Sequence, residues 1–405
     1  MIGILGGAFD PVHNEHIELA RAAAKELKLD ALLVVPTFFP PHKNVAELEF
    51  ADRAEILRRV FADFPVAVTV SDEEKIYFEE CGGYCYTAEI LPRLKKKYGD
   101  AVYIIGGDSF AQLESWMRPR DIIECAPVAV AARGGYENPR EVKKRLFEGI
   151  FKGVPHGRVK LLRFAGTDTS SMVTRARLLA NLPADIPEAA ARYIAERGLF
   201  SRYKPICDKL KTMITAERYK HSLSVAVTAV EINMKCKLKQ DFDKTLLAGL
   251  LHDCGKNSVN GVNTAIGADG VSGANTAIGA DGDWFAGRVP LDAVGTKTEH
   301  QFTGAVIAEE IFGVTDKEIL NAIRTHTTGA PDMTLLQRLM YTADAVEPLR
   351  DLEFADTADL RRSVFADFEG GFRATLKYTL DSLIARGIKI YPLTADAARY
   401  YLGAE

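Results

Sequence analysis

Residues 1–16 read MIGILGGAFDPVHNEH, and this stretch combines a short apolar run, two glycines and two histidines. The apolar run predicts a buried strand, and Gly6 and Gly7 predict a turn at which backbone N–H groups can approach a phosphate. His13 and His16 lie three residues apart at a predicted helix start, so both imidazoles can face one anion. No Gly-Lys-Ser/Thr follows and the spacing is not G-x-G-x-x-G, which excludes a P-loop and the usual dinucleotide fingerprint.

Short apolar runs alternate with amphipathic segments through residue 165. The predicted strands are 2–5, 31–35, 66–70, 102–105, 128–132 and 159–163, and the clearest helical segments between them are 15–28, 52–62 and 87–97. This alternation predicts an α/β fold, a Rossmann-like parallel sheet with helices on both faces and ligands at the carboxyl ends of the strands.

Helical periodicity dominates after residue 200 and predicts a second, all-α domain. Its predicted helices are 205–217, 220–236, 242–251, 301–312, 316–325, 334–346 and 370–386. We expect the boundary near 198–204, with one domain at 1–200 and the other at 205–395. The octapeptide NTAIGADG occurs at 263–270 and again at 275–282. Two copies cannot bury a solenoid core, so we expect an inserted mobile loop at about 258–285.

Composition indicates a soluble, intracellular globular protein. With 405 residues, a net charge of −4 and a pI near 6.1, the chain is large enough for two domains and lacks the basic balance of a nucleic-acid-binding protein. No apolar run approaches the 18 residues of a membrane span, and no signal sequence precedes the first strand. The six cysteines form no C-x-x-C pair, so we expect a reduced, cytoplasmic protein.

The second half carries a set of histidines and aspartates with the residue types of a metal site. Of the eight histidines, four lie beyond residue 200, each on or at the end of a predicted helix. They are His221, His252, His300 and His326; Asp253 directly follows the second, and Asp344 follows the last. Imidazole and carboxylate groups in this order can bind one or two divalent metals.

The first half resembles a known family in five successive motifs. They are GGAFDPVHNEH at 6–16, FPPHK at 39–43, Tyr86-Thr87 opening a helix, IIGGDS at 104–109 with Trp116, and TSSMVTR at 169–175. Together they resemble the bacterial nicotinate (or nicotinamide) mononucleotide adenylyltransferases of the HxGH nucleotidyltransferase superfamily, over residues 1 to about 200.

The resemblance implies transfer of an adenylyl group from ATP to nicotinate mononucleotide, giving nicotinate adenine dinucleotide and pyrophosphate. It assigns the α- and β-phosphates to His13 and His16, and the leaving pyrophosphate to Lys43, Ser171 and Arg175. Mg²⁺ would arrive with ATP. The remaining implied ATP- and substrate-binding residues are Gly6, Gly7, Phe9, Thr87, Gly106, Asp108, Trp116 and Ser170. Among them Asp108 would bind the ATP ribose, while Thr87 and Trp116 would face the pyridine ring. The choice between nicotinate and nicotinamide stays open.

The second half resembles the HD-domain phosphohydrolases over about 205–390. The strings LLHDCGK and AIRTHTTGAPDMTLLQRLMYTADAVEP are similar to the bacterial HD family that hydrolyses diadenosine tetraphosphate symmetrically to ADP. This resemblance implies a dinuclear metal centre, often of iron. The implied ligands are His221, His252, Asp253, His300, His326 and Asp344, with Lys256 on phosphate.

Three departures from the adenylyltransferase motifs leave alternatives open. Glu15 stands where the family has glycine, and Ala8 and Met172 replace residues that carry hydroxyl donors. One alternative is therefore a degenerate nucleotide-binding module fused to an active HD hydrolase. Another is an active adenylyltransferase with a regulatory, nucleotide-sensing HD domain. The sequence leaves the oligomeric state open.

Overall fold

The computed structural model describes residues 1–39, 46–133, 137–167, 169–256, 285, 287–352 and 356–403. It forms two compact units: Met1–Arg175 with Ala184–Phe200, and Ala176–Pro183 with Ser201–Glu405. The predicted phosphate ligand Lys43 and nearly all of the predicted repeat-bearing loop at 258–285 lie outside the described residues.

The first unit is built on a parallel sheet. Its strands are β1 (Ile2–Gly7), β2 (Ala31–Pro36), β3 (Ala67–Val70), β4 (Ala101–Gly106), β5 (Val128–Arg133) and β6 (Val159–Gly166). They lie in the order β3-β2-β1-β4-β5-β6, and each neighbouring pair is parallel. The chain reverses its direction of winding between β1 and β4, and such a switch point leaves a crevice at the carboxyl ends of these strands. The predicted α/β sheet is confirmed.

Nine helices accompany the sheet in the described part of the first 200 residues. They are α1 (Asn14–Leu27), α2 (Phe50–Val60), α3 (Glu73–Cys81), α4 (Thr87–Tyr98), α5 (Gly107–Ala111), α6 (Pro119–Cys125), α7 (Pro139–Glu148), α8 (Ser171–Leu179) and α9 (Glu188–Arg197). Strand residues such as Ile4, Leu33 and Val130 are fully buried beneath helical side chains. Burial on this scale supplies most of the stabilising free energy of the sheet.

The second unit is helical, as predicted. Its helices are α10 (Lys204–Met213), α11 (Ala216–Lys235), α12 (Phe242–Leu251), α13 (Glu299–Glu310), α14 (Lys317–Thr325), α15 (Leu335–Val346), α16 (Thr357–Ala366), α17 (Phe368–Ala385) and α18 (Pro392–Leu402). The predicted helix 205–217 was too long, because the Thr215 side chain accepts the Arg218 N–H and starts α11 there. In the described ranges we find no helical stretch with the length and hydropathy of a membrane span.

Candidate active sites

The two amino-terminal histidines lie on the first turn of α1, directly beyond the carboxyl end of β1. The His13 backbone N–H donates to Nδ1 of His16 at 3.2 Å, and the two ring centroids are 3.8 Å apart. Phe9 is buried and packs edge-on against the His16 ring at 5.1 Å. Because Nδ1 of His16 is an acceptor, the neutral ring carries its proton on Nε2, where it can donate to a phosphate oxygen.

The start of α8 lies beside the segment that follows β1. Ser170 caps α8 by accepting the Val173 N–H at 3.2 Å. Ser171 donates its hydroxyl proton to the Pro11 carbonyl at 3.2 Å, and Arg175 donates to the Asp10 carbonyl at 3.3 Å. Three predicted anion-binding residues from the end of the domain are thus brought to the turn that carries the histidines.

Two buried charges that the sequence analysis missed hold the segment after β1. Both carboxylate oxygens of Asp10 accept backbone N–H groups, from Glu47 at 2.9 Å and Leu48 at 3.0 Å. Arg53 is fully buried and donates to the carbonyls of Ala8 at 2.8 Å and Thr37 at 2.6 Å. Asp10 lies within the GGAFDPVHNEH motif but was given no role there, and Arg53 belongs to none of the five motifs. The fold sets the partners of both residues.

A cavity of about 300 Å³ brings three of the predicted binding residues together. It is lined by Thr87 at the start of α4, Asp108 after β4, and Trp116, together with Glu74 of α3 and several apolar groups. Asp108 accepts the Ser109 N–H at 2.8 Å, and a Cβ on Gly106 would lie 2.5 Å from its carboxylate. Glycine at this position therefore makes room for the Asp108 turn.

Glu74 was not identified from the sequence, yet its carboxyl lies at the wall of this cavity. Burial raises the pKa of Glu74 to about 7, against the opposing effects of the Phe38 N–H and the Arg53 charge. Its Oε2 accepts that N–H at 2.8 Å. A larger cavity of about 420 Å³ beside Arg58 and Phe61 contains none of the predicted residues, so we assign no role to it.

The predicted metal ligands of the second unit form one buried cluster. His221 lies in α11, His300 in α13 and Asp344 in α15, whereas His252 and His326 directly follow α12 and α14. Three overlapping groups within this cluster have ligand atoms within 4.8 Å of one another: His221-His252-Asp253, His252-His326-Asp344 and Asp253-His300-His326. The helices thus assemble all six predicted ligands.

Asp253 lies between two pairs of histidines. Its Oδ2 is 3.7 Å from Nε2 of His221 and 3.6 Å from Nε2 of His252. Its Oδ1 is 3.3 Å from Nε2 of both His300 and His326. Oδ1 is buried and makes no well-aligned hydrogen bond with the described residues. A carboxylate whose two oxygens face different ligand sets fits a position between two metal ions.

The histidine tautomers also fit metal binding. Nδ1 of His252 donates to the Gly249 carbonyl at 2.7 Å, and Nδ1 of His326 donates to the Ile323 carbonyl at 2.7 Å. These hydrogen bonds direct the Nε2 lone pairs into the cluster. Burial lowers the pKa of His252 to about 3 and that of His300 to about 3, so both rings are neutral and able to bind a metal at pH 7.

Comparison with known proteins agrees with this division of the chain. Residues 4–176 match the cytidylyltransferase-like family, and residues 218–349 match the HD domain. The chain is 32% identical over 211 residues to a probable nicotinate-nucleotide adenylyltransferase of Neisseria meningitidis serogroup B, a match that covers 50% of this chain and 98% of that protein. This chain belongs to the nicotinate-nucleotide adenylyltransferase family.

One relative of this family matches across both units. It is a probable nicotinate-nucleotide adenylyltransferase/Ap4A hydrolase of Mycoplasma genitalium, 26% identical over 356 residues, which cover 86% of this chain and 88% of that protein. A solved structure of a predicted HD superfamily hydrolase involved in NAD metabolism, from Clostridium acetobutylicum, is 30% identical over 50% of this chain and 98% of its own, with a TM-score of 0.39. An HD domain binds a divalent metal, and the Asp253 cluster has the residues for one.

The HD domain of this adenylyltransferase-family chain also contains groups that sequence reasoning missed. Glu347 is buried, and its Oε1 lies 3.0 Å from Nδ1 of His221. Arg218 donates to Oδ2 of Asp253 at 2.8 Å, and Arg350 donates to Oδ1 of Asp344 at 2.8 Å. Although burial disfavours the charged ring, Asp344, Glu347 and Asp253 raise the pKa of His221 to about 9.

Proposed function

We propose that this chain is bifunctional: an ATP-dependent nicotinate mononucleotide adenylyltransferase and a metal-dependent diadenosine tetraphosphate hydrolase. The first activity is supported by the match to an adenylyltransferase relative, which covers 98% of that protein. It is also supported by the His13–His16 pair at the switch point of the sheet. The observation that carries the second is Asp253, with its two oxygens facing different histidine pairs.

In the first reaction, a 5′-phosphate oxygen of nicotinate mononucleotide attacks the α-phosphorus of ATP, and the bond to the β-phosphate breaks. Both reactants bring their own charge, so the protein contributes position and charge neutralisation. His16 donates from Nε2 to the phosphates beside His13, while Ser171 and Arg175 hold the leaving pyrophosphate. Mg²⁺ enters with ATP. Lys43 is proposed to bind the leaving pyrophosphate on the basis of the FPPHK motif alone.

The 300 Å³ cavity is proposed to hold nicotinate mononucleotide, and Asp108 to contact the ATP ribose. Thr87 and Trp116 supply a polar group and an aromatic face for a pyridine ring. Gly6, Gly7, Gly106 and Ser170 contribute through the backbone geometry of the loops that surround the nucleotides. We propose a preference for nicotinate over nicotinamide mononucleotide because the relatives are named nicotinate-nucleotide adenylyltransferases. Comparison of the transfer rates with the two mononucleotides tests this preference.

In the second reaction, the histidines and aspartates of the cluster hold two divalent metals, which we propose to be iron. When bound, such metals lower the pKa of water and polarise phosphoanhydride oxygens. Arg218 and Arg350 each hold one carboxylate of the cluster in position. Nζ of Lys256 lies 3.8 Å from Oδ2 of Asp253, and we assign this ammonium group to a phosphate of the substrate. Attack by water on the substrate then yields two molecules of ADP.

Two assays on the intact chain test this proposal. With ATP, Mg²⁺ and each mononucleotide in turn, we expect pyrophosphate release that is fastest with nicotinate mononucleotide. With diadenosine tetraphosphate, we expect ADP as the product. Absence of transfer alone would support the degenerate-module alternative, and absence of hydrolysis by metal-loaded protein would support a nucleotide sensor.

Asp253→Ala separates the two activities. The variant should lose bound metal and ADP production, while adenylyl transfer stays within a few-fold of the unmodified chain. Elemental analysis and metal reconstitution with Fe²⁺, Mn²⁺ or Zn²⁺ measure the first effect. Asp381→Ala, at an exposed ion pair with Lys377 in α17, is the matched control. Retained metal and ADP production in Asp253→Ala would contradict the hydrolase assignment.

A further inference from the structure

Glu15, the residue that replaces the family's glycine between His13 and His16, makes specific contacts with the end of β6. Its carboxylate accepts the Thr167 hydroxyl proton at 3.1 Å. A Cβ built on Gly166 would lie 2.0 Å from Oε1 of Glu15 and 3.1 Å from its Cδ. The missing side chain at Gly166 therefore makes the space that the Glu15 carboxylate occupies.

The neighbouring residue reinforces the same connection. Asn14 donates from its side chain to Asp185 at 2.6 Å and from its backbone N–H to the Asp185 carbonyl at 3.3 Å. The other carboxylate oxygen of Asp185 accepts the Thr169 hydroxyl proton at 3.4 Å, and the Thr167 and Thr169 hydroxyls are 3.0 Å apart. Glu15 thus contacts the end of β6 and Thr167 directly, whereas Asn14 is connected to Thr169 through Asp185, which lies between α8 and α9.

We propose that the Glu15–Gly166 contact is a positioning device for the triphosphate site. It holds the start of α8, with Ser171 and Arg175, at a fixed distance from His13 and His16. These two sets of proposed phosphate-binding groups are more than 150 residues apart in the sequence, so contacts between distant segments fix their separation. The Ser171 and Arg175 hydrogen bonds to the Pro11 and Asp10 carbonyls are one such set, and the Glu15 contact is a second. The same contact keeps the Glu15 carboxylate, an anion, engaged with Thr167 instead of facing phosphate.

This inference rests on the proposed adenylyl transfer and predicts the opposite of simple charge repulsion. If Glu15 only repelled ATP, Glu15→Gly would raise the rate. The positioning role predicts instead that Glu15→Gly raises KM for ATP about tenfold, the scale of coupling between contacting residues. The KM for nicotinate mononucleotide should stay within twofold, because Thr87, Trp116 and the cavity are unchanged. Glu15→Gln keeps an oxygen acceptor for Thr167 and should stay within about threefold of the unmodified chain.

A double-mutant cycle tests the contact itself. The methyl group in Gly166→Ala must displace the Glu15 carboxylate, so this variant should also raise KM for ATP about tenfold. In Glu15→Gly/Gly166→Ala, the methyl group has nothing to displace, so the double variant should be no worse than Glu15→Gly. The proposal would be overturned if the fold increase in KM for ATP in the double variant equalled the product of the two single-variant increases. An unchanged or lower KM for ATP in Glu15→Gly would also overturn it.

Further measurements keep the outcomes distinct. Thermal unfolding of each variant reports whether the first unit is folded, and diadenosine tetraphosphate hydrolysis, assigned to the second unit, should not change. Amide hydrogen exchange in peptides spanning β6 and α8 should be faster in Glu15→Gly and in Gly166→Ala than in the unmodified chain. In Glu15→Gln, the exchange rate should be close to that of the unmodified chain. If the unmodified chain shows no adenylyl transfer, the proposed function fails. Amide hydrogen exchange in the same variants still decides whether Glu15 stabilises the end of β6 and the start of α8. Unchanged exchange in Glu15→Gly would contradict the positioning role.

Discussion

At the scale of single residues, both proposed sites contain histidines whose hydrogen bonds fix which ring nitrogen faces into the site. In the first unit, His16 Nδ1 accepts the His13 N–H and leaves Nε2 as the donor. In the second, backbone carbonyls accept the Nδ1 protons of His252 and His326 and leave Nε2 as the proposed metal ligand. The local hydrogen bond therefore sets which nitrogen faces the proposed phosphate site in one case and the proposed metal site in the other.

We expect His16→Ala to lower adenylyl transfer at least about 100-fold, since removal of one preorganised donor from a developing charge costs about 2.7–4 kcal/mol. Pyrophosphate release at saturating ATP measures the effect. His156→Ala is the matched control, because His156 stacks on Phe147 at 4.4 Å and belongs to none of the motifs. Transfer close to that of the unmodified chain would contradict the assignment of the first site.

At the scale of elements, helix packing sets the position of the proposed metal ligands. Gly249 of α12 lies directly against α11: a Cβ there would be 2.4 Å from the Ala226 Cα. Its carbonyl also accepts the Nδ1 proton of His252. The close approach of the two helices therefore fixes the direction of a proposed ligand.

Gly249→Ala should destabilise the second unit by about 1–3 kcal/mol, the usual cost of overpacking, and should weaken metal binding. Calorimetric unfolding and metal titration measure the two effects. Gly304→Ala in α13 is the control, because its Cβ would meet neighbours no closer than 3.5 Å. Equal losses in the two variants would show that the α11–α12 contact has no special role.

Helix α3 gives the first unit a pH dependence through Glu74. Because burial raises the pKa of Glu74 from 4.5 to about 7, the folded state binds this proton more tightly than the unfolded state. The contribution of this bound proton to the free energy of unfolding is complete below pH 4.5 and is lost as the pH rises through 7. Glu74→Gln should therefore exceed the unmodified chain in stability at pH 8, by up to about 3 kcal/mol, and not at pH 4.5.

Thermal unfolding at both pH values measures this difference for Glu74→Gln. The exposed Glu79→Gln in the same helix is the control and should change the melting temperature little at either pH. A Glu74→Gln advantage of the same size at pH 4.5 and pH 8 would show that its charge is not the cause.

At the scale of the whole molecule, the two sets of functional residues belong to different compact units. We expect a chelator to abolish diadenosine tetraphosphate hydrolysis and to lower the unfolding temperature of the second unit, because metal binding stabilises the fold that provides its ligands. The chelator also removes the Mg²⁺ that enters with ATP, so adenylyl transfer should stop and then recover fully when Mg²⁺ is restored. Loss of transfer that only iron restores would contradict the independence of the two activities.

The sequence by itself determined the sheet, the helical second unit and the identity of most proposed site residues. Each of these follows from local patterns: alternating apolar runs, paired glycines, and histidines at the ends of amphipathic helices. Helix α3 escaped prediction because its apolar residues form no continuous buried stripe: Ile76 is exposed, and Tyr77 and Phe78 are only partly buried. Helix ends such as Met213 were misjudged because a single cap, Thr215, decides them.

Only the tertiary structure decided which distant groups meet. No local pattern pairs Glu15 with Gly166, Glu347 with His221, or the Glu74 carboxyl with the 300 Å³ cavity. Each pairing joins segments that are far apart in the chain, and each depends on how the helices pack on the sheet or on one another. The motifs therefore specify which chemical groups the protein has, while packing sets their protonation, their direction and the distances between them.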